Sequence, residues 1–104
     1  MLNLNNENFE KETEKDSVIV DFWAPWCGPC QMMGPAFESL SEKFEKVKFA
    51  KMNIDENPEI ANKLGIQGIP CLIVLKDGKE NGRIVGFMSK DILENKISEI
   101  LNKS

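Results

Sequence analysis

The sequence predicts an α/β fold in which a central mixed β-sheet is flanked by helices on both faces. Three observations predict it. "SVIVDFW" (17–23) and "CLIVLK" (71–76) are nearly continuous apolar runs rich in β-branched residues, as expected of strands buried on both faces. Segments with apolar residues at helical spacing separate the candidate strands, which suits parallel crossovers. The "KDGK" turn signal (76–79) near the end adds an antiparallel hairpin. At 104 residues the chain is expected to form one domain, spanning 1–104.

The elements follow in order. Residues 5–15 predict a helix on good helix formers around Phe9, and 17–23 the first buried strand. Met33, Phe37, Leu40 and Phe44 recur at helical spacing, with Pro35 expected to kink that helix near its start. "VKFAKMNID" (47–55) alternates as a strand should. Asn57 and Pro58 read as N-cap and first position of a short helix carrying Ile60, Ala61 and Leu64 and stopped by Gly65. After strand 71–76, "GRIVGF" (82–87) is the hairpin partner. Ser89 then caps a last helix, with Ile92, Leu93, Lys96, Ile97, Ile100 and Leu101 on a mainly apolar face. The order is α, β, α, β, α, β, β, α.

Composition excludes several functions. Hydrophobic residues are 41% and charged residues 29% of the chain, a globular balance without repeats. A net charge of −4 and no Lys/Arg cluster argue against nucleic acid as a partner. The first residues lack the basic and apolar regions of a secretory signal, and the apolar segment 69–75 is far shorter than the ~20 residues of a membrane span. A cytoplasmic protein that does not enter a membrane is expected, and in that reducing compartment a Cys-x-x-Cys pair is catalytic or metal-binding sooner than a structural staple. The chain has no histidine and three cysteines, too few ligands for a closed zinc site, so no metal or other cofactor is expected.

"DFWAPWCGPC" (21–30) concentrates the chemistry. Cys27 and Cys30 fall where a buried strand ends and a helix begins, so Cys27 can be the N-cap and Cys30 the third helical position. Free N–H groups and the helix dipole there stabilise a thiolate at Cys27. Pro29 is tolerated in a first turn, and Gly28 leaves room for a substrate chain to approach the sulfur. Cys30, one turn inward, should be shielded. The loop is too short for a bridge to gain much chain-entropy stabilisation, which suits a disulfide that is made and broken.

Asp21 interrupts an apolar strand on the face of Ile19 and Trp23, and Lys51 repeats the anomaly beside Val47 and Phe49. A buried carboxylate of raised pKa, partly offset by a nearby ammonium, has the properties of a proton acceptor for Cys30. The alternative is a solvated carboxylate at a strand end, and periodicity does not show whether the two residues meet.

"WCGPC" (26–30), "VDFWA" (20–24), "AKMNIDENP" (50–58) and "GIQGIP" (65–70), in this order, resemble the thioredoxin family from end to end. The resemblance implies the thioredoxin-like fold, with Cys27 the exposed nucleophile, Cys30 the resolving thiol, Asp21 the buried acid/base and Lys51 beside it. It implies a cis Ile69–Pro70 bond that presents the Ile69 backbone to an extended substrate strand. Trp26, Gly28, Pro29, Gly68, Ile69, Val85 and Gly86 would line the docking surface around Pro70. The chain departs from the family at Cys71, where threonine is usual, and at Gln31, where lysine is frequent.

The function expected is that of a monomeric protein-disulfide reductase working by thiol–disulfide exchange. Its partners would be client proteins carrying disulfides and a thioredoxin reductase as electron donor, since the chain has no nucleotide-binding glycine pattern of its own. Two alternatives remain: a binding module whose redox state is incidental, and an oxidant or isomerase. Asp21, Lys51 and both cysteines argue against the first, and the proline before Cys30 against the second.

Overall fold

The computed structural model describes residues 1–103. The described residues form nine elements: β1 (Leu2–Leu4), α1 (Phe9–Thr13), β2 (Ser17–Trp23), α2 (Gly28–Lys43), β3 (Lys48–Asn53), α3 (Pro58–Lys63), β4 (Cys71–Lys76), β5 (Lys79–Val85) and α4 (Lys90–Leu101). They build one five-stranded sheet of order β1-β3-β2-β4-β5. β1 and β2 run parallel to β3, whereas β4 is antiparallel to both β2 and β5, so the sheet is mixed as expected.

Side chains of alternate parity supply the two faces. Ile19, Phe49, Leu72, Val74 and Ile84 pack against Met33, Phe37 and Leu40 of α2 and Leu93, Ile97 and Ile100 of α4. Val18, Val20, Phe22, Met52 and Ile73 point the other way, to Phe9 of α1, Ile60 of α3 and Leu64 at its C-terminal end. Every residue of β2 from Val18 to Phe22 is therefore buried, because helices cover both of its faces.

Several expectations need correction. β1 is an unpredicted edge strand; three residues, one of them asparagine, are too few to show a period, and only its pairing with β3 makes it a strand. The first helix is five residues long, because Asn5 Oδ1 accepts the N–H groups of Glu7 and Asn8 at 2.9 and 2.8 Å and holds that stretch in a turn. Asn57 and Ser89 occupy N-cap positions, but neither side chain caps its helix. Asn6 Oδ1, from the N-terminal segment, instead accepts the Ile60 N–H at 3.3 Å. In α4, Ile92 and Lys96 are exposed, so the buried stripe is narrower than expected and centres on Leu93, Ile97 and Ile100.

The hairpin strand also starts earlier than expected. Asp77 and Gly78 both have positive φ, 50° and 82°, so a two-residue turn returns the chain straight into Lys79. The register shifts between Val74 and Leu75, leaving Asn81 unpaired, and its Nδ2 donates to the Ile100 carbonyl at 2.7 Å. β5 ends at Val85 because Gly86, at φ 95°, leaves the extended region. α2 runs unbroken past Pro35, which lacks the N–H that would serve the Gln31 carbonyl.

Candidate active site

Topology gathers the candidate residues at one end of the sheet. β2 and β3 are parallel and both finish there, at Trp23 and Asn53, while antiparallel β4 starts there and β5 ends there, with Cys71 paired to Val85. The loop carrying the dithiol, the segment 68–70 and Gly86 thus converge although they are far apart in sequence.

The dithiol loop is a tight strand-to-helix turn. The Cys27 N–H donates to the Ala24 carbonyl at 3.1 Å, and Gln31 N–H to the Cys27 carbonyl at 3.1 Å as α2 begins. Cys27 is the N-cap, in extended conformation, and Cys30 the third helical residue. They are joined by a disulfide with Cα atoms 5.2 Å apart. The Cys27 sulfur accepts the Cys30 N–H at 3.2 Å, so a donor from the first turn of α2 is aimed at that sulfur. In the bridged form Cys27 is 4% accessible, hardly more than Cys30 at 3%. The exposed Cys27 implied by the resemblance is thus not found in this state, because the bridge and the neighbouring Ala24, Trp23, Ile54 and Ile69 cover it. The difference between the sulfurs is positional: Cys27 borders exposed Trp26, Gly28 and Pro29, while Cys30 is turned into the fold. A Cβ added to Gly28 would meet nothing within 4 Å, so the approach is open.

Asp21 and Lys51 face each other in register on β2 and β3. Asp21 is 1% exposed and its Oδ1 has no hydrogen-bond partner among the described residues. Burial pushes its carboxyl up to about 6, against which the Lys51 charge pulls down. The solvated-carboxylate alternative is thereby set aside. Lys51 stands off rather than pairing: no ion pair joins the two among the described residues, and the ammonium lies 5.0 Å from the Trp23 ring centroid. It also lies 4.0 Å from where a Cβ of Gly34 would be. Cys30 and Gly34, four residues apart, share one side of α2, so the Lys51 ammonium lies beside the helix turn that follows Cys30.

Around the dithiol lies an open apolar rim. Trp26 is 69% and Val85 54% exposed, and Ile69 is half-buried next to a cis Ile69–Pro70 bond. Neither backbone group of Ile69 is hydrogen-bonded among the described residues. Gly86 N–H donates to the Pro70 carbonyl at 2.8 Å, fastening the two rim loops, and Val85 Cγ1 lies 3.3 Å from where a Gly68 Cβ would be. All the rim residues expected from sequence are thus at this end of the sheet.

Two further residues bear on the site. Cys71 is 1% exposed and packs with Val20, Phe22 and Ile73 on the α1/α3 side, opposite to Asp21; burial raises its pKa above the usual thiol range. Asp55 has no role in the sequence argument, yet its Oδ2 accepts the Trp26 indole N–H at 2.7 Å. The parallel pairing of β2 with β3 is what brings Asp55, two residues beyond β3, next to the dithiol loop, and nothing in the local sequence signals it.

Comparison with known proteins agrees with this geometry. The family model described as thioredoxin matches residues 1–99. The thioredoxin of Bacillus subtilis (strain 168) is 44% identical over 99 residues, covering 94% of this chain and 91% of that one. That of Alicyclobacillus acidocaldarius is 42% identical over 102 residues, covering 96% and 97%, and that of Rickettsia bellii 47% identical over 94 residues, covering 88% and 90%. A solved chain from a study of thiol resolution in yeast mitochondrial 1-Cys peroxiredoxin via glutathione/thioredoxin systems superimposes with a TM-score of 0.87 at 33% identity, covering 95% of this chain and 94% of that one.

Proposed function

Since the chain belongs to the thioredoxin family and is a thiol–disulfide oxidoreductase that reduces disulfides through its Cys-Gly-Pro-Cys dithiol, we propose that Cys27 is the attacking sulfur, Cys30 the resolving one and Asp21 the proton acceptor between them. The Cys27 thiolate attacks one sulfur of a client disulfide, and the other client sulfur leaves with a proton from solvent. Cys30 gives its proton to Asp21 and attacks Cys27, breaking the mixed disulfide. The second client sulfur departs as a thiolate and is protonated. Two electrons have passed to the client, and the protein holds the Cys27–Cys30 bridge seen here.

The observation that carries this assignment is the bridge with Cys27 at the N-cap of α2 beside an open apolar rim, on the same end of the sheet as a buried carboxylate, Asp21, whose strand β2 leads into the dithiol loop. Lys51 tempers the pKa of Asp21 without neutralising it. The rim formed by Trp26, Gly28, Pro29, Gly68 and Val85, with the unpaired backbone of Ile69 beside Pro70 and Gly86, suits an extended client segment that adds itself as a short strand. Concavities of about 440, 400 and 350 Å³ are lined by no residue of the dithiol loop, in keeping with a protein client rather than a small enclosed substrate. Among the described residues no helix is long and apolar enough to cross a membrane. A monomeric, single-domain protein of the cytoplasm, re-reduced by a thioredoxin reductase, completes the reading; neither a metal nor another cofactor enters the exchange.

Dithiothreitol-driven reduction of insulin tests it. The wild-type protein should accelerate reduction catalytically, and the Cys27→Ser/Cys30→Ser double variant should not accelerate it at all. A double variant that retains the acceleration would move the function to a binding role of the same surface.

A further inference from the structure

The most exposed large side chain at the rim is also the most deliberately held. Trp26 could turn freely about two torsions at 69% exposure, yet its indole N–H is engaged by Asp55 Oδ2 at 2.7 Å, a charge-assisted bond. Asp55 is itself fixed. Its N–H donates to Asn53 Oδ1 at 2.9 Å, and the Asn57 N–H and Nδ2 both donate to the Asn53 carbonyl at 3.1 Å. The N-terminal segment closes the loop from outside: Asn6 N–H donates to Asn57 Oδ1 at 3.1 Å, while Asn6 Oδ1 accepts from Ile60 at the start of α3. An unbroken chain of hydrogen bonds therefore runs from Asn6 through Asn57 and Asn53 to Asp55 and ends on the indole beside Cys27.

We infer that Asp55 is a positioning residue for disulfide exchange: anchored by Asn53 and the Asn6–Asn57 clasp, it holds the Trp26 ring in the orientation in which a client segment docks against the dithiol rim. The inference rests on the reductase reading, because a held indole gains its use when a client lies on it. It also gives a use to Asn53, at the end of β3, where β propensity disfavours asparagine. Preorganising an aromatic anchor lowers the ordering cost of docking and leaves the sulfur chemistry alone, so the effect belongs in KM.

The test compares Asp55→Ala, which removes the acceptor, with Asp55→Asn, which keeps an oxygen for the indole N–H. Nitrogen relaxation of the two indole N–H groups reports ring order, with Trp23 as the internal control. In Asp55→Ala the order of the Trp26 indole should fall while that of Trp23 holds. The KM for insulin, with dithiothreitol as reductant, should rise about two- to tenfold, the range of one lost hydrogen bond, with kcat held. Asp55→Asn should stay near wild type in both. An undiminished Trp26 order in Asp55→Ala, a loss expressed in kcat, or an Asp55→Asn variant as impaired as Asp55→Ala would overturn the inference. The indole measurement needs no client, so it decides the positioning claim even if the wild-type protein leaves insulin intact, an outcome that overturns the reductase reading instead.

Discussion

A carboxyl group with 1% of its surface accessible and one oxygen unpaired weakens the fold whenever it is ionised. For Asp21 the sign follows from its carboxyl being raised from 3.8 to about 6 in the native state. Between those values the native state binds the proton that the unfolded chain has lost, so stability falls as pH rises through the window and the full cost, about 3 kcal/mol, is present above it. Asp21→Asn should therefore raise the unfolding free energy at pH 7 by about 1–3 kcal/mol once the cost of a buried amide is set against the gain, read as a higher denaturation midpoint. The difference from wild type should shrink toward pH 4. The same substitution should slow release of the client from the mixed disulfide, and in stopped-flow measurements the inflection of that step near pH 6 should vanish. A lower midpoint at pH 7 would show that the carboxylate is better satisfied than its surroundings indicate. Cys71 makes the opposite case. Its packing away from Asp21, with burial holding its pKa high, makes it a small apolar side chain. In the oxidised protein it should resist alkylation until denaturant is added, and Cys71→Thr should leave turnover nearly unchanged; rapid labelling in the native state would make it a redox participant.

Elements show how far local pattern carries. The runs 17–23 and 71–76 match β2 and β4 residue for residue, because a strand covered on both faces needs apolar residues throughout and nothing else in the chain has that composition. Boundaries slipped where long-range contacts decide. β1 exists through β3, α3 is capped by Asn6 rather than Asn57, and β5 starts at Lys79 because the turn geometry outweighs three polar residues. Gly82 is a comparable case within β5. A Cβ there would lie 2.9 Å from Cγ2 of Ile100, so α4 approaches the strand more closely than any other residue allows. Gly82→Ala should lower stability by about 1–2 kcal/mol in urea denaturation, with the reductase chemistry at the far end of β5 intact. An unchanged midpoint would mean that α4 shifts freely on the sheet.

At the scale of the whole molecule, the site is made by topology. Cys27 and Cys30 were legible from their spacing at a strand-to-helix junction, and Asp21 and Lys51 from the breaks they make in apolar faces. That these two stand opposite each other depends on the parallel register of β2 and β3, and that Asp55 reaches Trp26 depends on the same pairing; neither is written in any contiguous stretch. The rim residues at 68–70 and 85–86 were placed by resemblance and not by pattern, since only the antiparallel return of β4 and β5 brings them to the dithiol. On the proposed reading, the assembled end of the sheet makes two sulfurs of similar accessibility unlike: Cys27 is the N-cap of α2 beside the apolar rim, and Cys30 is the third residue of the helix.

That asymmetry is tested most directly by trapping. Reduced Cys30→Ser and Cys27→Ser variants, each incubated with oxidised insulin and quenched with acid, are separated without reductant and weighed by mass spectrometry. The account predicts a stable mixed disulfide on Cys27 in the Cys30→Ser variant, where no resolving thiol remains, and none in the Cys27→Ser variant. Equal trapping by both, or trapping by Cys27→Ser alone, would contradict it.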